Sequence, residues 1–437
     1  MLPVSKWVDP YFGTEGDFGT GLGLTMDIDF SWYKEHLLSQ ILPFWDSAFD
    51  DAYGGVFTCF TNDGKHKVSD DKFTWSQGRM LWCLSYLLEH PHCSEGLDDA
   101  TRMRYRKRCD ALYRLLSEHA LLSGEDEVCA FLLDRTGEAK PCASDGGKYA
   151  SMYADCFVIM GFSRYALLTK RKDIALEALG IYNKMKRVMA RGIIRTDPYP
   201  LPPGSTAQSI PMIICNTAHE LATVLRALGM PEASYVHKET QTAAHSVLQV
   251  FAENRTMQIR EVVYQEAGKE HELLARHRNP GHAIECMWFC LDALGDEYGE
   301  VLSPYVLSSL ELGWDEEWGG LLRYVDTDGG EPKGQCDGSA FSRLVASTWD
   351  LKLWWPHVEA LYACARFYRV TKDERFALWY ERLKQYTYST FPSDKGEEWI
   401  QIRTRMGLPQ ERIVALPVKD PYHILRMHLL ILNMNVE

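Results

Sequence analysis

The sequence predicts an all-α fold of roughly a dozen helices, enough for about six helical hairpins, closed into a ring with short β-hairpins lining one face. Three observations carry this. Apolar residues recur at three- and four-residue steps through most of the 437 residues. A hairpin-like segment, a loop and a helix that opens on Trp occur twice, far apart in the chain. No Pro/Ser-rich linker or low-complexity stretch divides the sequence, so a single domain over residues 1–437 is expected.

In chain order, the amphipathic helical stretches begin with about Phe30 to Phe44, Trp75 to Glu89, Asp98 to His119 and Tyr153 to Thr169. Asp173 to Met189, Met212 to Leu228, Ala233 to Phe251 and His282 to Leu294 follow. Pro304 to Leu312, His357 to Tyr368, Asp373 to Tyr388 and Tyr422 to Leu432 complete the set. Gly54 to Phe60 followed by Asn62-Asp63-Gly64 reads as a β-hairpin, because Gly accepts positive φ in a tight turn. Gly319 to Val325 followed by Asp326-Thr327-Asp328-Gly329 reads the same way. Both lead into K-x-x-W, Lys72 to Trp75 and Lys352 to Trp355. The repeated pairs suit ring closure, with the hairpins and their loops walling a pocket. Pro198 to Pro203 is the best loop candidate, a lid or a plain connector.

Composition excludes several functions. The net charge of −13 disfavours nucleic acid and anionic membrane surfaces as partners. The basic run Arg102 to Arg108 is local and reads as a solvated helix face. Twelve Cys without a C-x-x-C pair suggest reduced thiols in a cytoplasmic protein, with neither a disulfide framework nor a zinc ribbon. The first seventeen residues lack the apolar core of a signal peptide, and no apolar run is long enough to span a bilayer. Aromatic residues make up 12%, which suits both helix packing and sugar-stacking surfaces.

Two histidines carry the chemistry. Asn279-Pro280-Gly281 is a turn, and His282 opens the next helix with Glu285 three residues on, on the same face. A carboxylate beside an imidazole fixes its tautomer and raises its basicity, as acid–base work near neutral pH requires. Two other readings of the same residues stand beside it. Glu285 could be a helix-start charge, or His282, Glu285, Cys286 and Cys290 could be metal ligands. In Lys419-Asp420-Pro421-Tyr422-His423 the pattern recurs, with Arg426 three residues after His423, a cation that favours a neutral imidazole. A packed surface histidine is the plainer alternative there.

Five segments, GGVFTCF, DDKFTWSQGRMLW, NPGHAIECMWF, GWDEEWGGLL and KLWWPHVEAL, resemble the N-acylglucosamine 2-epimerase family, closest to its animal-type branch. With the residues around His423, the resemblance spans about residues 54 to 426. It implies an (α/α)6 barrel, or toroid, and two catalytic histidines, His282 and His423. It implies Arg79 as the arginine at the sugar oxygens and Glu285 as the glutamate beside the first histidine. Trp355, Glu359, Tyr153 and Asn216 match pocket residues, and Arg426 is carried with them as a substrate-binding candidate. Trp75, Lys352 and Trp354 are expected to pack or support. Disaccharide epimerases of the family place Trp five residues before the second histidine, where Val418 stands. They place His four residues after the asparagine, where Glu220 stands. Both departures argue against a cellobiose-type substrate, although PYHILR around His423 resembles the disaccharide branch.

The expected reaction is interconversion of N-acetylglucosamine and N-acetylmannosamine. One histidine takes the C2 proton, the other returns one on the opposite face, and Arg79 stabilises the enediolate. No metal or redox cofactor is expected, because no hydride leaves. The resemblance also implies adenine nucleotide as an activator and a homodimer as the assembly. A mannose- or sulfosugar-type aldose–ketose isomerase is the enzyme alternative. A catalytically idle, protease-interacting protein is the alternative of another class.

Overall fold

A computed structural model describes residues 25–393, 398–412 and 416–435. The first seventeen residues, read above for a signal peptide, lie outside the described residues. Two compact units emerge. An N-terminal unit comprises Phe30–Pro200, Ile213–Thr242 and the chain from Ala415, and a central unit comprises Leu201–Met212 and Ala243–Val414.

Helices dominate both. The chain begins with α1 (Phe30–His36), a π-helical turn (Leu37–Ile41) and α2 (Leu42–Ser47). Then come α3 (Thr74–Glu89), α4 (Pro91–Ser94), α5 (Asp99–Leu115), α6 (Met152–Thr169) and α7 (Lys172–Ala190). Two helices, α8 (Ser209–Ala227) and α9 (Ala233–Val250), contribute residues to both units. The central unit adds α10 (Leu273–Arg276), α11 (Pro280–Leu294), α12 (Gly299–Gly313), α13 (Ala340–Thr348), α14 (Trp354–Thr371) and α15 (Glu374–Thr390). The last helix, α16 (Tyr422–Met434), belongs to the N-terminal unit. Side-chain caps set several starts: Asp98 accepts from Thr101 N at 2.7 Å before α5, and Asn279 from His282 N at 3.2 Å before α11.

Strands are two or three residues long. In order they are β1 (Lys72–Phe73), β2 (Leu132–Leu133), β3 (Ala139–Lys140), β4 (Ser205–Ala207), β5 (Ala252–Glu253) and β6 (Gln258–Ile259). They continue with β7 (Val262–Tyr264), β8 (His277–Arg278), β9 (Val325–Asp326), β10 (Lys352–Leu353) and β11 (Ile402–Arg403). All named pairings are antiparallel: β1-β2-β3, β4 with β7, β5 with β6, β8 with β9, and β10 with β11.

The repeated segments hold a repeated device. In the N-terminal unit Lys72 Nζ donates to Asp50 Oδ2 at 3.0 Å and to the Gly54 carbonyl at 2.7 Å. In the central unit Lys352 Nζ donates to Asp315 Oδ2 at 3.0 Å and to the carbonyls of Gly319 and Gly320 at 2.8 and 3.0 Å. Arg135 Nε and Arg405 Nε reach the same two aspartates at 3.1 and 2.7 Å.

The first repeat closes a short hairpin across its turn residues: Phe60 bridges Lys67, Thr61 N donates to His66 O at 2.9 Å and Val68 N to Cys59 O at 2.7 Å. Ahead of that turn the pairing is a single bridge, Phe49 with Val56. The Gln77 side chain takes the place of a strand, accepting from Val56 N at 2.8 Å and donating to Val56 O at 2.9 Å. In the second, Asp326 N donates to Gly330 O at 3.0 Å across its own turn, His357 Nε2 accepts from Leu321 N at 2.8 Å, and the strand ladder of β9 forms with the distant β8.

Glycines set two close approaches. A Cβ on Gly78 would lie 2.4 Å from the Phe157 carbonyl oxygen, so only glycine lets α3 meet α6 backbone to backbone. A Cβ on Gly281 would lie 2.7 Å from the Trp355 ring, so α11 and α14 meet through that indole.

Candidate active site

The central unit carries His282 on the first turn of α11. Asn279 caps that turn and Pro280 follows, which fixes where the imidazole leaves the helix. His282 Nδ1 meets Glu261 Oε1 at 2.8 Å. A carboxylate there only accepts, so Nδ1 carries the proton and Nε2 is left for chemistry. The partner is Glu261, immediately before β7, whereas spacing had pointed to Glu285.

Burial alone would lower the proton affinity of His282. The Glu261 charge and hydrogen bond, then Glu285, outweigh it and hold the imidazole above its ordinary value, while Arg323 opposes them. Burial pushes Glu261 up, and the imidazole more than offsets that, so its carboxyl titrates below its usual value. The Trp355 ring lies 5.2 Å from the His282 ring at 39°. Glu359 is 1% exposed and accepts from Trp288 Nε1 at 3.1 Å. Glu285 is buried one turn below His282. Cys286 and Cys290 are sealed, and burial raises the Cys286 thiol well above its ordinary value, which disfavours the thiolate a metal would need.

The N-terminal unit carries His423 on the first turn of α16. Asp420 Oδ2 accepts from His423 N at 3.2 Å, and Asp420 Oδ1 pairs with Arg79 Nη1 at 2.9 Å. The Arg79 guanidinium stacks 4.0 Å from the Phe157 ring centroid, the residue that Gly78 brings against α3. On the other side of the imidazole, Arg426 Nη2 lies 3.4 Å from His423 Nδ1, and Arg426 Nη1 donates to Tyr422 OH at 3.2 Å. A guanidinium only donates, so this contact makes Nδ1 an acceptor and puts the neutral ring's proton on Nε2. The two histidines therefore have opposite partners on the same ring atom.

Tyr153 sits half-buried on the first turn of α6, and Asn216 is 6% exposed on α8. Asn216 Oδ1 is buried without a hydrogen-bond partner among the described residues. Glu220 is committed to Arg164, with contacts of 2.6 and 3.1 Å, and that guanidinium overcomes burial to hold the carboxyl below its usual value. Val418 packs against a cluster that includes Phe73 and Phe131. Trp75 packs 5.2 Å from Phe131, Trp354 is buried, and Lys352 is spent on its ion pair.

Within the central unit the structure thus brings together His282 and Trp355. Within the N-terminal unit it brings together Arg79, His423 and Arg426, joined by Asp420. Sequence reasoning missed Glu261 and Asp420. The first lies in Gln258-Ile259-Arg260-Glu261-Val262-Val263-Tyr264, a β-rich run after a helix that could have been read as strand. The second stands three residues before His423, the spacing of a helix cap.

A family model described as N-acylglucosamine 2-epimerase (GlcNAc 2-epimerase) matches residues 134–427. N-acylglucosamine 2-epimerase of Bos taurus is 27% identical over 407 residues, covering 89% of this chain and 87% of that protein. Among solved structures, cellobiose 2-epimerase from Bacillus thermoamylovorans B4167 superposes with a TM-score of 0.71 at 18% identity, covering 93% of this chain and 99% of that one. A D-mannose isomerase superposes at 0.69 and 14% identity, covering 92% and 98%. These likenesses carry the fold, the (α/α)6 class expected from the sequence. Among the described residues, no helix is long and apolar enough to cross a membrane.

Proposed function

The chain belongs to the N-acylglucosamine 2-epimerase family, and from that premise we propose that it interconverts N-acetylglucosamine and N-acetylmannosamine, with His282 and His423 as its two acid–base groups. The observation that carries this is the opposite partnering of the two imidazoles. His282 has a carboxylate on Nδ1 and a free Nε2 lone pair, the state of a base. His423 has a guanidinium on Nδ1, so its neutral ring carries the proton on Nε2, the nitrogen through which a proton would be passed on.

Epimerisation at C2 needs both at once. The sugar aldehyde loses its C2 proton to a base, the charge moves onto the carbonyl oxygen as an enediolate, and a proton returns on the other face. Arg79, held by Asp420 and Phe157, supplies a fixed positive charge for that oxygen. To return the proton, His423 must enter that step as the imidazolium; it leaves neutral while His282 leaves as the imidazolium, and the reverse reaction starts from that exchanged form. The N-acetyl substrate is favoured by the likeness to the bovine enzyme over 89% of this chain and by Glu220, which its bond to Arg164 withholds from a second sugar ring.

The enzyme is proposed to act in the cytoplasm, as a homodimer and without a required cofactor. None of the twelve cysteines is in a disulfide, which supports a reducing compartment.

Proton NMR of the purified protein with N-acetylmannosamine, mannose and glucose, with and without ATP, tests the reading. N-acetylglucosamine appearing from N-acetylmannosamine is expected. A ketose from mannose would instead make it an aldose–ketose isomerase. His282→Ala and His423→Ala should each lower turnover by about 10²-fold or more while leaving circular dichroism unchanged. Substantial activity in either variant would remove that histidine from the mechanism.

A further inference from the structure

We propose that Glu261 is the positioning residue that holds His282 in its Nδ1–H form and tunes it as the base, an inference that rests on the acid–base role given to His282 above. Glu261 is 4% exposed, and its carboxylate is delivered by backbone rather than by the helix that carries the imidazole. The β4–β7 ladder pairs Ser205, Thr206 and Ala207 with Tyr264, Val263 and Val262. It continues one step further, where Gln208 N donates to Glu261 O at 2.9 Å. The Gln208 side chain then turns to the His282 carbonyl, with Nε2 at 3.4 Å. The ribbon and the first turn of α11 are thus tied together twice, once through Gln208 and once through the Glu261–His282 contact.

The surrounding charges make Glu261 the controlling one. Glu285, on the imidazole's own helix, raises the His282 proton affinity by its charge, after Glu261, which supplies both charge and a hydrogen bond. Arg323 opposes both. His277, before α11, is sealed at 0% exposure, gives Nδ1 to the Leu274 carbonyl at 2.7 Å and is held neutral by burial. Arg278 is occupied by Gln258 and Glu253 at 3.0 and 3.4 Å. On α14, Glu359 is engaged by Trp288. Glu261 is bonded to the ring nitrogen at 2.8 Å.

A carboxylate on Nδ1 does two things to a base. It excludes the tautomer whose Nε2 is already protonated, and it stabilises the imidazolium that forms when Nε2 takes the substrate proton. Replacing Glu261 with Gln keeps an oxygen able to accept from Nδ1 but removes the charge. Replacing it with Ala removes both.

The test separates this inference from the functional reading. In Glu261→Gln, kcat should fall about 10- to 100-fold with KM little changed. The acidic limb of the kcat/KM profile should move to lower pH, because His282 then loses its proton more readily. Glu261→Asp should recover part of the rate. Imidazole nitrogen NMR, with the His282 signal assigned by its loss in His282→Gln, supplies a readout that needs no turnover. In the parent protein His282 should carry its proton on Nδ1 when neutral and titrate above about 6.5. In Glu261→Gln it should titrate lower, and in Glu261→Ala the Nδ1–H preference should be lost. An unmoved His282 titration in Glu261→Gln overturns the inference even if the enzyme is an active epimerase. A protein inert towards every sugar while His282 still follows Glu261 overturns the functional reading alone.

Discussion

An imidazole is a base or an acid according to what occupies its other nitrogen, and here that choice rests on single side chains. Asp420 illustrates how much one residue can carry. It caps the first turn of α16, just where His423 leaves the helix, and it is the carboxylate partner of Arg79. Removing it should cost the cap, about 1 kcal/mol. It should also strand a guanidinium whose side chain is only 15% exposed, a further 1–3 kcal/mol or so. Asp420→Ala is therefore expected to lose roughly 2–4 kcal/mol in urea denaturation, with turnover falling as His423 and Arg79 lose their shared anchor. Asp420→Asn, which can still accept from His423 N, should lose less stability. Parent-like stability and rate in Asp420→Ala would show that neither group depends on it.

Elements set these residues in place, and the repeated lysine device is the clearest case. Lys72 and Lys352 each close a Gly-Gly turn over a buried aspartate, and both side chains are 0% exposed. Each also stands two residues before its helix, α3 or α14, so the ion pair fixes where Trp75 and Arg79, or Trp355 and Glu359, emerge. Lys352→Met removes the buried cation that Asp315 Oδ2 faces and takes one donor from each of two glycine carbonyls. A loss of about 3–5 kcal/mol is expected, and Lys72→Met should behave alike. A Lys352→Met, Asp315→Leu double variant should lose less than the sum of the single changes, because no buried charge is then stranded. Strict additivity would mean the pair is not coupled.

The sequence made the long helices readable because their faces repeat: α3, α6, α7 and α9 start and end within two residues of expectation. The repeat was readable too, through K-x-x-W. The strand pairings were not, since two-residue strands carry no periodicity and β8 finds β9 some fifty residues away. Helix α13 escaped for the opposite reason, being nine residues long and flanked by polar loops. At the site, residues sharing a helix with a histidine were visible. Glu261 was not, because spacing along one helix says nothing about a carboxylate arriving on a strand.

At the scale of the whole molecule, the protonation of buried histidines sets the acid limit of stability. His36, His277, His357 and His428 are each no more than 4% exposed. Burial pushes His36 and His277 down to about 4, and His357 and His428 down to about 3. Three of them give Nδ1 to a backbone carbonyl, at 2.6 to 2.8 Å. His357 also needs its bare Nε2 to accept from Leu321 N beside the second Gly-Gly turn. The unfolded chain takes up these protons near pH 6.5, the folded chain only near pH 3–4. Between those limits the unfolded state binds more protons, so each histidine removes stability as pH falls, by about 1.4 kcal/mol per pH unit.

Asp155 opposes them. Sealed and bonded to Tyr149 OH and Cys129 N, it is pushed up by burial to about 8, so its folded form holds a proton that the unfolded form releases above about pH 4. Its contribution therefore grows as pH falls through the same window. His282, raised by Glu261, changes charge on folding only above pH 6.5 or so and does not enter below it. His90, pushed down by burial to about 4, adds a fifth; five histidines against one aspartate leave a net difference of about four protons, and stability should drop steeply between pH 6 and 4. Urea titrations across that range should show the midpoint falling with each step. A His428→Leu variant that folds should show a shallower dependence, by about one proton. A midpoint flat from pH 6.5 to 4.5 would mean that these rings are already charged in the folded protein or reach solvent on acidification, and the burial argument would fail for all five together.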